Sequence, residues 1–409
     1  MDGPLTGIRV LEWAAFHNGP AAGYMLGDLG ADVIKIEEPG VGDPFRGMTQ
    51  MWGNTVSLPG RRVVGFEGAN RNKRSIALNL SHPDSKSIFY QMIKKCDVFL
   101  TSYYRNEVLQ RLGLDYETVV KHNPRIIYAI NSGYGLEGTL ANERGFDPIA
   151  QARSGMMWTT GDRDSNEPFL NVAAPNDSMG GTMQAFAILA ALLHLNRTGE
   201  GQKLEVSLLG SALHLQYIDI NALLLRGKGY SRHSRFKAAN PIGNHYCCAD
   251  SKWLILAEPQ SDRFWGQFCK CLSKEEWQSD QRFATAIARQ KNSEEICRLV
   301  ADILATRNLD EWLEEFRLQK AEFAYSPILK DSDAVVDSQV QDNNYIVEFN
   351  HPVLGPTRVL PLPVKFSKSP VSIKRAAPEL GEQTEEVLQE ILGLTWEELA
   401  KLKEKGAIG

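Results

Sequence analysis

Residues 8–38 read IRVLEWAAFHNGPAAGYMLGDLGADVIKIEE. The run IRVLEWA (8–14) predicts a strand, and PAAGYMLGDLG (20–30), opening on proline, predicts a helix. ADVIKIEE (31–38) predicts a second strand. A strand, a helix and a strand in such close succession make a parallel crossover unit. The alternation continues with a helix over 83–96, a strand over 97–103 and a strand over 125–135. Apolar strands separated by amphipathic helices predict an α/β class, with a parallel sheet covered on both faces. The first turn, AAFHNGPAAG, has no G-x-G-x-x-G pattern, although Glu37 closes the second strand at a suitable place. Nicotinamide or flavin binding is therefore not expected.

Beyond an apolar helix over 182–197, RTGEGQKLEVSLLGSALHL reads as a turn, a short strand and a helix. The character changes near Lys228. NPIGNHYCCADSKWLILAEPQSDRFWGQFC reads as a hairpin with an Asp-Ser turn, then a helix starting near Ser261, and 275–330 is mostly helical. We expect a small α+β domain over 225–335, inserted in a large domain built from 1–224 with 336–409. The tail opens with the Pro-rich, strand-like HPVLGPTRVLPLPVKFS. It ends in TEEVLQEILGLTWEELAKLKEKG, which reads as one amphipathic helix with a threonine cap, acids early and lysines late.

Of the 409 residues, 43% are hydrophobic and 23% charged, which suits a soluble globular enzyme. A net charge of −5 gives no basic footprint, so no nucleic-acid partner is expected. The run AFAILAALLHL (185–195) is short for a bilayer and reads as a core helix, so no membrane partner is expected either. The opening MDGPLTGIRVLEWA lacks a secretory pattern, which points to the cytoplasm. The six cysteines lack paired CxxC spacing, so reduced thiols and no metal site are expected.

The polar clusters fall at strand ends. In APNDSMGGTMQAF (174–186), Asp177 precedes Gly180 and Gly181 at the start of an apolar helix. It reads either as an N-cap or as a nucleophilic carboxylate with bare backbone beside it. Arg71, Lys73 and Arg74 form one basic group, and Arg105 and Arg111 form another. Two such groups suit a phosphate-rich ligand, or else a solvated surface. Tyr134 lies in a glycine-rich turn, and Asp147 reads as the cap of the helix starting at Pro148. His17 stands before a helix N-terminus able to receive an anion.

Several segments, in this order, resemble the family III CoA-transferases: LTGIRVLEWA, LGDLGADVIKIEEP, NRNKRSIALNL, RLGLDYETV, NPRIIYAINSGYG, GFDPIAQARSG, NDSMGG, GEGQKLEVSLL and NPIGNHYCCADSKW. The resemblance implies a Rossmann-like large domain made by both chain ends, a smaller inserted domain and two interlocked subunits, either a homodimer or a pair with a homologue. It implies Asp177 as nucleophile, with CoA contacts at Lys73 and Arg111 and further candidates at Arg74, Arg105 and Arg46. His17 and Asn18 would fall in a loop touching CoA and substrate, Tyr134 beside the acyl group, and Gly180 and Gly181 in an oxyanion cradle. Tyr103 stands where many members carry Asn, and Asn106-Glu107 where they carry Pro-Gly, which leaves the pantetheine contact there open. The expected partners are an acyl-CoA donor, succinyl-CoA on family grounds, and a carboxylic acid. No permanently bound cofactor is expected, and coenzyme A enters as the substrate thioester.

Three other readings remain: an α-methylacyl-CoA racemase-like enzyme, a non-catalytic subunit of a heteromer, and a nucleotide-binding regulator without chemistry, which has only the α/β pattern behind it. The racemases carry Gly-His-Asp where this chain has Gly145-Phe146-Asp147, and phenylalanine cannot act as a base. The stretch RGMTQMWGNTVSLPGRR (46–62) suits a bulky acid with a second carboxylate for an arginine.

Overall fold

The computed structural model describes residues 3–409; residues 1 and 2, where the expected large domain begins, lie outside the described residues. The chain forms two compact units. The first comprises the residues up to Met157, Leu170–Gly229 and Asn344–Gly409. The second comprises Trp158–Phe169 and Tyr230–Asn343, so that Trp158–Phe169 groups away from its chain neighbours.

The first unit is organised by six strands: β1 (Arg9–Trp13), β2 (Asp32–Glu37), β3 (Lys73–Ala77), β4 (Val98–Thr101), β5 (Ile127–Ser132) and β6 (Lys203–Ser207). They lie in the order β6-β5-β4-β1-β2-β3, every pair parallel. This is the order of a doubly wound sheet, and the chain reverses its direction of growth between β1 and β4.

Successive side chains of a strand face opposite ways, so the sheet builds two cores. Leu11, Ile34, Ile76, Phe99 and Tyr128 pack on one face beneath the helix Pro83–Ile93 and the chain's last helices. Val10, Val33, Val98, Leu100 and Ile127 pack on the other with α1 (Asn18–Asp28) and α3 (Pro175–Thr198). Between them in sequence lies α2 (Asp147–Arg153), and α4 (Leu208–Leu215) follows β6.

The helix expected over 182–197 starts seven residues earlier. Pro175 supplies the first helical position, where its missing N–H costs nothing. Asp177 is therefore inside the first turn, not ahead of it. α3 has 24 residues and enough apolar length to cross a membrane, yet its Ala185, Ile188, Ala191 and Leu195 belong to the core beneath the sheet.

The single terminal helix expected from TEEVLQEILGLTWEELAKLKEKG is two: α5 (Thr384–Leu392) and α6 (Trp396–Glu404). Gly393, at φ +70°, ends the first, and a Thr395–Glu398 capping box starts the second. The tail covers the exposed edge of β3. Gln383 Oε1 accepts from Ser75 N at 2.8 Å, and Thr384 Oγ1 accepts from Ala77 N at 2.9 Å. The sheet edge is thereby sealed against pairing with another chain.

The second unit holds a three-stranded antiparallel sheet of β7 (Gly243–Cys247), β8 (Trp253–Ala257) and β9 (Tyr325–Ile328). Its core joins Tyr246, Leu254, Trp265, Trp312 and Phe316. The strand-like tail segment forms a hairpin of β10 (Val347–His351) and β11 (Gly355–Val359) in the first unit.

Candidate active site

Parallel sheets of this order bind ligands where the strand order reverses, outside the carboxyl ends of the strands. A cavity of about 510 Å³ opens there in the first unit. Its walls come from Ala15–Asn18 after β1, Ser102–Arg105 after β4, Asn131–Gly133 at the end of β5, and Arg144–Phe146 before α2. Asp177 of α3 reaches it from the side. A concavity of about 570 Å³ between α3, β6 and α4 is larger, but Glu205 and His214 are the only ionisable side chains in its lining.

Asp177 sits at the third position of α3, where backbone N–H groups normally serve a carboxylate. Here they are taken. Asp147 Oδ2 accepts from Asn176 N at 2.6 Å and from Asp177 N at 3.0 Å. Asp147 is thus the cap of α3, not of its own helix as expected from sequence. No described residue hydrogen-bonds or ion-pairs the Asp177 carboxylate. Burial, and then the charge of Asp147, push its pKa up to about 7.

The loop ahead of α1 is held from several sides. Asp43 Oδ1 accepts from Phe16 N and Phe45 N, and Ser102 Oγ accepts from Ala15 N at 3.0 Å. Lys35 Nζ donates to Ala14 O at 2.6 Å. These bonds keep Phe16 at φ +62°, a region unusual for a bulky residue, and its ring meets Phe146 edge-on at 5.6 Å. His17 borders the cavity, and its pKa is lowered chiefly by burial, so it is neutral at pH 7. Asn18 Oδ1 accepts from Asn131 Nδ2, and Asn131 Nδ2 also reaches Gln184 Oε1 at 3.2 Å. Tyr103 stacks on Trp13, with ring centroids 4.1 Å apart, at the cavity wall.

Of the residues singled out by sequence, Asp177, His17, Asn18, Tyr103 and Arg105 meet at this cavity. Lys73 does not. It is sealed inside, with Nζ 2.8 Å from Glu12 Oε2 and 2.9 Å from both Pro20 O and Asn70 Oδ1. Arg74 pairs with Asp32 and Glu390, and Arg46 grips Glu37 through two bonds of 2.7 Å. Their charges are matched within the fold, away from the cavity. Arg111 is exposed in the last turn of the helix Asn106–Leu112, where a cation suits the helix dipole. Tyr134 stands near the wall, its hydroxyl 3.5 Å from Arg144 O.

Gly180 and Gly181 lie within α3, where backbone N–H groups serve the helix ladder. They face α1: a Cβ on Gly180 would come 2.5 Å from Asn18 Nδ2, and one on Gly181 would come 2.6 Å from Ala21 Cβ. Their bareness permits a close helix–helix seam, and the expected oxyanion cradle is not formed there.

Sequence reasoning missed Phe16, Tyr104 and Arg144 on the cavity wall. It also missed the capping role of Asp147, which acts thirty positions away and leaves no local signal. Among the described residues no cluster of metal-ligating side chains exists.

The chain matches the model of CoA-transferase family III over residues 5–384. It is 33% identical over 408 residues to the succinyl-CoA:glutarate CoA-transferase of Mus musculus, covering 99% of this chain and 90% of the relative. It is 30% identical over 428 residues to the formyl-CoA:oxalate CoA-transferase of Shigella sonnei, covering the whole of both. A solved CAIB/BAIF family protein from Brucella suis superposes with a TM-score of 0.82 at 27% identity, over 96% of this chain and 100% of that one. The solved structure of Rv3272 from M. tuberculosis gives 0.79 at 26%, over 94% and 98%.

Proposed function

The chain belongs to CoA-transferase family III, and we propose that it carries CoA from succinyl-CoA to a dicarboxylic acid through covalent intermediates on Asp177. The observation that carries this reading is the Asp177 carboxylate itself, unpaired on the wall of a cavity at the strand-order reversal.

A carboxylate oxygen of Asp177 attacks the thioester carbonyl. The C–S bond breaks, giving CoA thiolate and an aspartyl mixed anhydride. The thiolate attacks the aspartyl carbonyl and the donor acid leaves as its carboxylate, so Asp177 becomes an aspartyl-CoA thioester. The acceptor carboxylate attacks that thioester and expels the thiolate again. Attack of the thiolate on the acceptor's acyl carbonyl then yields the new acyl-CoA and frees Asp177. No proton or metal enters the balance, and the thioester bond energy is conserved.

The dicarboxylic class is supported by the acids named for the two relatives, glutarate with succinyl-CoA and oxalate with formyl-CoA. It is supported also by Arg105 and Arg144, which line the cavity. Arg105 donates to Asn142 O at 3.0 Å, and neither arginine pairs with a carboxylate among the described residues. Planar guanidinium groups suit a second carboxylate. His17, Asn18 and Tyr103 contact the thioester end of CoA in this reading.

The working form is an interlocked dimer of two such chains. Phe186, Tyr217, Ile218, Leu224 and Leu225 leave large apolar surface exposed in the first unit, Leu225 by 85%. The six unpaired thiols suit a cytoplasmic setting.

A transfer assay tests the proposal, with succinyl-CoA as donor and dicarboxylic and monocarboxylic acids of equal length as acceptors. Turnover of the dicarboxylic acids, abolished by Asp177→Ala, is expected. Equal turnover of the monocarboxylic acids, or an active Asp177→Ala, contradicts it.

A further inference from the structure

An aspartate at the third position of a helix ordinarily draws on the free N–H groups of the first turn, which stabilise its charged form. In α3 those groups are diverted. Asp147 Oδ2 receives both Asn176 N and Asp177 N, and the residue is 3% exposed. Gln151, fully buried one turn along α2, donates through Nε2 to Asp147 Oδ1 and fixes its second oxygen. The same amide clips the strand of chain leading to α3: Nε2 donates to Asn171 O at 2.7 Å, and Oε1 accepts from Asn171 N at 3.0 Å. A carboxylate from one helix, oriented by a glutamine on that helix, thus occupies the end of another.

Resting on the assignment of Asp177 as nucleophile, we propose that Asp147 is a positioning residue. It withholds the donors of the α3 N-terminus from the Asp177 carboxylate and keeps that group unpaired toward the cavity. The consequence is chemical. A carboxylate held by two backbone N–H groups is a weaker nucleophile than one left bare in a half-buried wall. The negative charge of Asp147 also opposes the free Asp177 anion, an opposition that ends when Asp177 becomes a neutral anhydride or thioester. Both effects favour acylation of Asp177 over its resting anion.

The ionisable groups facing Asp177 are few. Asp147 comes from α2, His17 from the loop ahead of α1, Tyr103, Tyr104 and Arg105 from the segment after β4, and Arg144 from the loop before α2. Among these only Asp147 both hydrogen-bonds the backbone of Asp177 and raises its pKa through charge.

The test is a direct titration of Asp177 by difference infrared spectroscopy of its carboxylate band, assigned with Asp177→Asn, in the intact protein. This readout does not depend on turnover, so it stands even if Asp177 proves not to be the nucleophile. Adduct formation on Asp177, measured alongside, reports that separate reading. Asp147→Asn retains an oxygen acceptor and loses the charge. It is expected to lower the midpoint by about one pH unit, while Asp147→Glu stays near the wild type. The acid limb of kcat/KM is expected to move with the midpoint. If Asp147→Asn does not fold, Asp147→Ser keeps an acceptor without charge and is read in the same way. A folded Asn or Ser variant with the wild-type midpoint overturns the proposal, as does a loss of rate equal at every pH.

Discussion

Lys73 Nζ meets Glu12 Oε2 at 2.8 Å, with both side chains fully shielded from solvent. Lys35 Nζ reaches the same carboxylate at 3.1 Å and Asp43 Oδ2 at 3.0 Å, so two lysines and two carboxylates balance beneath the first strand-to-helix loop. Burial lowers the Lys73 pKa to about 8 against the opposing pull of Glu12. For Lys35 burial also opposes the charge, but Asp43 and Glu12 outweigh it and the pKa is raised. Removing one member leaves a buried charge uncompensated, which outweighs the loss of a single contact. Lys73→Met is expected to cost about 3–5 kcal/mol, measured by urea unfolding. Lys73→Met combined with Glu12→Gln should recover part of that loss. A Lys73→Met protein as stable as the wild type contradicts this assignment.

Protonation of Asp177 links the site to stability. Its folded pKa of about 7 lies above the ordinary 3.8, raised first by burial and then by Asp147. Between those values the folded chain holds more proton than the unfolded one, so stability falls as pH rises through that window. Asp177→Asn removes the effect. Its melting temperature should match the wild type near pH 4 and exceed it above pH 7. Equal melting temperatures at both ends would show that Asp177 ionises normally.

Gly180 tests the seam between α1 and α3. Alanine in a helix interior is favoured over glycine by about 0.8–1.0 kcal/mol. Against this, the added methyl would press on Asn18 Nδ2 at 2.5 Å, inside a well-packed interface. Overpacking of this kind costs about 1–3 kcal/mol. The expected result for Gly180→Ala is net destabilisation with a loss of kcat, because Asn18 forms part of the cavity wall. A stabilised, fully active variant would mean that Asn18 yields without consequence.

Arg144 separates acceptor classes. Truncation to alanine should raise KM for dicarboxylic acceptors roughly tenfold or more, the loss of one charge-assisted contact, and leave monocarboxylic acceptors unchanged. Equal effects on both would place Arg144 on CoA instead.

Much of the fold was legible. The strands β1, β2, β4, β5 and β6 lie within the runs expected; β3 does not, because its sequence KRSIA opens on two cations and reads as a basic group ahead of an apolar stretch. The order of the strands was not legible, since local pattern does not encode which edges meet. Gly393 shows a second limit: charge placement over 384–404 suits one helix, and only the left-handed glycine followed by a threonine cap divides it in two. At the site, Asp177 stood out through its neighbours. The basic residues misled, because Lys73, Arg74 and Arg46 look alike whether they face a phosphate or a carboxylate within the fold. What distinguishes them is Glu12, Asp32 and Glu37, whose proximity arises only from the pairing of β1, β2 and β3.

The transfer mechanism requires a covalent bond to Asp177. Intact-protein mass spectrometry after incubation with succinyl-CoA, on wild type and Asp177→Ala, tests it most directly. The expected result is a CoA-sized, hydroxylamine-sensitive adduct on the wild type that maps to the peptide containing Asp177 and is absent from the variant. Transfer of CoA by a folded wild type without any such adduct, or an adduct that persists in Asp177→Ala, would contradict it.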